Sequence, residues 1–273
     1  MSSLVEFLHR VSGAILAAIL WPFHRLSPDW QLIIASVGIG LIFLLLYKQV
    51  SNQARLRAVK RSIHAAVLEV ALYRHDLRVC LAAQGRMLKS GALYFLLAVP
   101  PVLILLVPML FLLAQLNLRF GYAPIAPGAP VIVRAGITDP RALFRVEAVA
   151  ETGLTLSAPL RRRDVNEILW RAETNGSGEA RLTLKSSGGS ATIPITTTPA
   201  PRIIPQRAGD GWARLLYPDP DGLSLPPPFG GVAITYPERN ASLLGWQTHW
   251  IIVFAIVSIL SGLVFARVLR VEI

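Results

Sequence analysis

The chain has 273 residues, a mean hydropathy of +0.52, only 16% charged residues and a formal net charge of +11 with a pI near 10.6. That composition excludes an ordinary soluble domain and puts the membrane class first. A nucleic-acid binder would share the pI but would not set its charge beside apolar segments long enough to span a bilayer, so no specific nucleic-acid partner is expected.

Residues 1–29 open with Glu6, His9 and Arg10 before the apolar run Val11–Phe23. That run is short for a span, and Pro22 stops it, so an interfacial helix is expected there. A fourth span and a cleaved signal peptide are the alternatives; the latter lacks a small-residue cleavage site.

Three stretches carry enough apolar residues to cross a ~30 Å hydrocarbon layer, which takes roughly 20 of them. They are "WQLIIASVGIGLIFLLLY" (within 30–47), "LYFLLAVPPVLILLVPMLFLLAQL" (within 91–118) and "WIIVFAIVSILSGLVFARV" (within 247–273). Trp30, Tyr47, Tyr94, Trp246 and Trp250 stand near their ends, as interfacial aromatics do.

The first connection, residues 48–90, carries nine Lys/Arg against Glu69 and Asp76. The positive-inside rule makes it cytoplasmic. Its seam positions Leu56, Val59, Ile63, Ala66, Val70, Tyr73, Leu77, Cys80, Gln84 and Met87 keep 3-4 spacing, with Gln84 the only polar member. A single rod would end roughly 50 Å away at ~1.5 Å per residue, with only "KSGA" to bring the chain back. Two antiparallel helices cover each other's stripes instead. The turn is placed at Arg74-His75-Asp76, with Asp76 as N-cap of a helix starting at Leu77. The arms are then 48–73 and 77–90, the second running into the next span. Cys80, the only cysteine, excludes an intramolecular disulfide and reads as a small seam residue.

Residues 119–246 are nearly charge-balanced, with fourteen basic and eleven acidic residues, and are compatible with export. Short runs ("VIVRA", "LFRVEAV", "LTLSA", "EILWRAE", "EARLTLK", "ATIPIT", "GVAITY") separated by turn signals predict an antiparallel β-sandwich over 125–240. In "EILWRAE", Ile168 and Trp170 fall on one face. "LRRRD" (160–164) reads as a solvated loop, or as a site for an anionic headgroup or polymer. "NGS" and "NAS" match the glycosylation pattern, and "PPPFGG" reads as a stiff loop. No metal spacing, nucleophile elbow or phosphate loop is found, so a non-enzymatic protein without cofactor is expected. The C-terminal "RVLRVEI" falls on the cytoplasmic side. The fold class is thus an α-helical membrane protein with three spans, an N-terminal hydrophobic helix, a cytoplasmic helical hairpin and an inserted all-β domain outside.

A span, a basic hairpin with an Asp at its turn, and a second span broken by prolines together resemble the YidC/Oxa-type membrane insertase superfamily. The likeness is to its short three-span members, the archaeal YidC-like proteins and related subunits of endoplasmic-reticulum insertion complexes. It rests on "YKQVSNQARLRAVK", "LYRHDLRVCLAAQGRML" and "LAVPPVLILLVPML", and covers roughly 30–116 plus the third span by position. Two features depart from the family: no Arg lies between Gln31 and Tyr47, and the exported domain separates the second and third spans. A groove would then be mildly polar or absent.

The resemblance implies a bacterial-type inner-membrane insertase or chaperone, with a polar recess that eases a client's polar flank through a thinned bilayer. Candidate recess-lining residues are Ser36, Gly40, Pro100, Pro101, Ser258 and Ser261. A packing seam of small residues, which also takes in Gly262 and Ala266, is the alternative. Pro100, Pro101 and Pro108 either kink the second span or hydrate it. Gln115 and Asn117 read as the outer interface. Arg55, Arg57, Lys60 and Arg61 would meet membrane lipid, a ribosome or an emerging membrane-protein client; solvated charge is the alternative. A different class, an envelope scaffold whose β-domain binds an unknown envelope partner, is the rival reading. A transporter or channel subunit is the weakest, since no charge sits inside a span.

Overall fold

The computed structural model describes residues 2–176, 180–207, 216–218, 223, 225–243 and 245–271. Ser177 of the "NGS" pattern lies outside the described residues. The helices are α1 (Ser2–Leu20, continued by a 3-10 turn Trp21–Phe23), α2 (Pro28–Val50), α3 (Gln53–Leu72), α4 (Leu77–Phe120) and α5 (Trp250–Leu269). Among the described residues, four segments are long and apolar enough to cross a membrane: Val5–Phe23, α2, α4 and α5. The N-terminal segment reaches this length because its helix begins at Ser2, not near Val11. Glu6, His9 and Arg10 are carried inside it.

The chain forms two compact units, Met1–Ala18 with Phe111–Trp250, and Ile19–Leu110 with Ile251–Ile273. In the second, α2 starts on Pro28 in its first turn and stops at Val50. A two-residue break, Ser51-Asn52, then starts α3, and the Asn52 side chain accepts the Arg55 N–H at 3.1 Å. That break falls inside what the sequence predicts as one arm, 48–73.

The chain reverses between Leu72 and Leu77, as expected. The Asp76 carboxylate accepts the N–H groups of Arg78 (2.9 Å) and Val79 (3.3 Å), satisfying donors the first helical turn leaves unpaired. Across the hairpin, Arg86 pairs with Glu69, Ser62 and Ser90 share a hydrogen bond at 3.1 Å, and Cys80 Sγ donates to the Tyr73 carbonyl at 3.1 Å. Replacing Asp76 by alanine should cost about 1 kcal/mol, an approximately fivefold faster amide exchange at Arg78 and Val79. Asp76→Asn, still an acceptor, should keep the slow rates.

Of the expected stripe the first arm buries Leu56, Val59 and Ala66 and half-buries Ile63 and Val70, but Tyr73, at the turn, is exposed. The second arm corrects the register. Cys80, Ala83 and Met87 turn inward, whereas Leu77 and Gln84 are exposed. The turn resets the helical phase, so a heptad counted straight through it misplaces half of the second arm. α4 then continues without interruption through Pro100, Pro101 and Pro108. Its 44 residues make a helix of about 66 Å at ~1.5 Å per residue, roughly twice the hydrocarbon thickness.

In the first unit, a six-stranded antiparallel sheet runs β3-β5-β1-β9-β8, with β4 also paired to β5. These strands are β1 (Pro130–Ile137), β3 (Leu154–Leu156), β4 (Leu160–Arg162), β5 (Glu167–Thr174), β8 (Gln206–Arg207) and β9 (Phe229–Ile234). A three-stranded sheet, β2-β6-β7, comprises Glu147–Ala150, Ala180–Ser186 and Gly189–Ile195. β10 (Asn240–Leu243) and β11 (Trp246–His249) form a hairpin. The two larger sheets share one core: Val131, Val133 and Ala135 of β1, Ile168 and Trp170 of β5, and Leu182, Leu184 and Ile193 of β6 and β7. Period-2 alternation on β1 and β5 buries every second residue, as the pleat requires. The "LRRRD" stretch is not a free loop: Leu160–Arg162 pairs with Leu169–Glu167. The "PPPFGG" segment is held by Thr138, whose N–H and hydroxyl both donate to the Pro228 carbonyl at 2.8 Å, and by Ser186 on the Pro227 carbonyl.

Candidate functional site

Small residues on α2 and α5 bring the two helices into direct backbone approach. A Cβ added at Gly40 would stand 2.7 Å from Ser261 Oγ and 2.9 Å from the Ser258 carbonyl. The serine hydroxyls are turned back onto their own helices: Ser36 to Leu32 C=O (2.7 Å), Ser258 to Ala255 C=O (3.1 Å) and Ser261 to Ser258 C=O (2.9 Å). Ser36 is completely buried. Gly40, Ser258 and Ser261 are therefore brought together as a close-packed seam, the arrangement small residues allow in a membrane. Gly262, grouped with them by sequence, has nothing within 4 Å of a would-be Cβ. Pro100 is exposed and Pro101 buried on α4.

The basic candidates Arg55, Arg57, Lys60 and Arg61 lie on the first three turns of α3. Arg55, Arg57 and Arg61 are exposed and Lys60 is half-buried. His75 and Asp76 sit at the turn as expected, with Arg74 Nε donating to His75 Nε2 at 3.2 Å.

Sequence reasoning missed an apolar stripe on the outside of this hairpin. Leu68 and Leu72 of α3, and Leu77, Leu81 and Leu88 of α4, are each between 63% and 76% exposed. On α4 the positions are four and seven apart, hence on one face, which flanks the face of buried Ala83 and half-buried Cys80 and Met87. The signal was present in the leucine spacing, but counting Leu77 as a seam residue concealed it. Arg74 and Arg78 lie beside the stripe at the hairpin tip.

In the first unit, Gln115 is buried and its Nε2 donates to the His9 carbonyl at 3.2 Å. The His9 ring stands edge-on to Phe111 with centroids 4.7 Å apart. On the β-domain, the exposed Phe144 ring is flanked by the Arg161 and Arg163 guanidiniums at 5.6 and 4.9 Å. Arg162, hydrogen-bonded to Asp164 at 2.9 Å, holds that carboxyl below its ordinary value.

Burial, with a hydrogen bond to Tyr217, pushes the Tyr122 phenol up to about 12. The fold therefore favours the neutral phenol. Its contribution is complete below pH ~10, the ordinary phenol value, and is lost as pH rises from there through about 12. Unfolding followed against pH should show a stability decline over that interval, and Tyr122→Phe should flatten it.

No group of three or more metal-ligating side chains occurs among the described residues. No protein-family model, curated protein or solved structure matches the chain.

Proposed function

We propose that this protein is a non-enzymatic membrane chaperone of the insertase type, which receives apolar client segments on its basic helical hairpin. The observation that supports the reading is the set of exposed leucines Leu68 and Leu72 on α3 and Leu77, Leu81 and Leu88 on the part of α4 that precedes the stretch 91–118 expected to span. Contiguous apolar surface in water is costly to leave uncovered and marks an interaction site. Flanking arginines suit an apolar client whose other neighbour is an anionic lipid surface. On this proposal the hairpin is cytoplasmic at a bacterial-type inner membrane and the β-domain lies on the far side, as the excess of basic residues in 48–90 supports for the hairpin. In this reading clients meet the hairpin first, and the Gly40–Ser258–Ser261 seam holds α2 against α5 instead of lining a recess.

Photo-crosslinkers at Leu72 and Leu81 should capture short-tailed single-span clients, and Leu72→Glu with Leu77→Glu should lower their insertion. Absence of adducts, together with unchanged insertion after depletion, rejects the reading. The Phe144–Arg161–Arg163 cluster favours a second one, a scaffold whose β-domain docks an acidic envelope partner. That alternative predicts that deleting 125–240 abolishes function while the leucine changes are silent.

A further inference from the structure

A cleft of about 430 Å³ opens in the first unit, lined by Thr196, Arg202, Arg207 and Tyr236 and walled by Pro194 and Pro201. That volume is within the ~300–1,000 Å³ of small-ligand sites. We propose that this cleft binds a phosphate-bearing anion, and that its position assigns the phosphate to a phospholipid headgroup.

The lining carries two guanidiniums, one half-buried (Arg202) and one more than nine-tenths buried (Arg207). The Arg202 charge also acts on Arg119 in the last turn of α4, which sets a further cation on that side of the cleft. Guanidinium is the side chain whose paired N–H groups match phosphate oxygens. The Tyr236 hydroxyl accepts the Thr196 N–H at 3.0 Å, also meets the Thr196 side chain, and feels the charge of Arg207. Donors of this kind, walled by Pro194, Pro201 and Ile204, fit a charged headgroup attached to an apolar body.

The location selects the source. Ile203 N–H, adjacent to Arg202, donates to the Leu118 carbonyl at 2.8 Å, which fixes the cleft beside the end of α4. The nearby Tyr122–Glu238 bridge ties the strand-side chain to the same end. If α4 crosses the bilayer, this end of the β-domain lies at headgroup level. The opposite end, where Ile137 pairs with Phe229 and Phe144 sits between its arginines, lies farthest along β1 from that attachment.

The test uses the full chain in detergent, with occupancy by phosphatidylglycerol and by phosphatidylcholine read by native mass spectrometry and inorganic phosphate as competitor. Phosphatidylglycerol should be preferred. Arg202→Glu should weaken it about tenfold or more, Arg202→Lys less, and Arg163→Glu not at all. Arg202→Lys keeps the charge in place, so it reads the site even if the reversal perturbs folding. Inorganic phosphate that binds through Arg202 without any lipid preference would uphold the anion site and overturn the lipid source. Equal occupancy in wild type, R202E, R202K and R163E would overturn the site itself.

Discussion

Replacing Gly40 by alanine should destabilise the protein by about 1–3 kcal/mol, whereas the same change at Gly262 should be neutral or slightly stabilising. Both glycines lie inside membrane-length helices, and in each a methyl group improves helix propensity by ~1 kcal/mol. The difference is what the methyl meets. At Gly40 it meets the Ser258 carbonyl at 2.9 Å and Ser261 Oγ at 2.7 Å. A side-chain hydroxyl can rotate aside, but a backbone carbonyl cannot, so α2 and α5 must separate along the seam. At Gly262 nothing lies within 4 Å. Thermal unfolding of the full chain in detergent measures both changes, and Gly40→Leu should exaggerate the first. Equal midpoints for the two alanine variants would mean that the seam carries no packing energy.

Trp170→Ala should be the most damaging single change in the β-domain, at about 3–5 kcal/mol. Trp170 is only 2% exposed, opposes Val133 across the β1–β5 ladder and faces the core shared by both large sheets. A domain commonly holds about 5–15 kcal/mol in all, so this loss should leave it protease-sensitive near physiological temperature. Phe144 is the internal contrast. It is of similar character but 58% exposed, and its contacts are the two arginines. Phe144→Ala should cost under ~1 kcal/mol while removing the stacked cation site. Limited proteolysis of the two variants in parallel separates core packing from surface chemistry.

The hairpin was legible because two independent signals agree at one place. Asp76 is an N-cap residue, and the apolar stripe needs a partner that only a reversal supplies. The inward face of the second arm was less legible, since nothing in the sequence marks how much helical phase the turn consumes. Ala83, too small to stand out, took the buried place that Gln84 had been given. The Ser51-Asn52 break was hidden for a similar reason: its signal is one asparagine cap inside a continuous helical pattern. Prolines misled in the other direction. Pro100, Pro101 and Pro108 suggest a broken span, yet the helix around them is uninterrupted.

In the β-domain the longer strands were visible from alternation. β4, β8 and the β10–β11 pair were not, being two to four residues long and dependent on neighbours for their pairing. The candidate site shows the same division. The four serine and glycine positions were found by their size and spacing, but size alone does not say whether a small residue lines a recess or closes one. That answer lies in the hydroxyl directions and the Gly40 approach. The cleft draws Arg202 and Arg207 together with Thr196 and Tyr236 from separate stretches, so only the fold gathers them.

The account depends on α4 carrying the chain through the bilayer between the hairpin and the β-domain. Cysteines placed singly at His75 and at Arg163, in a Cys80→Ser background, test it with a membrane-impermeant maleimide. In spheroplasts the Arg163→Cys protein should be labelled and the His75→Cys protein protected, and inverted membrane vesicles should reverse the pattern. Labelling of both positions from the same side would contradict the account.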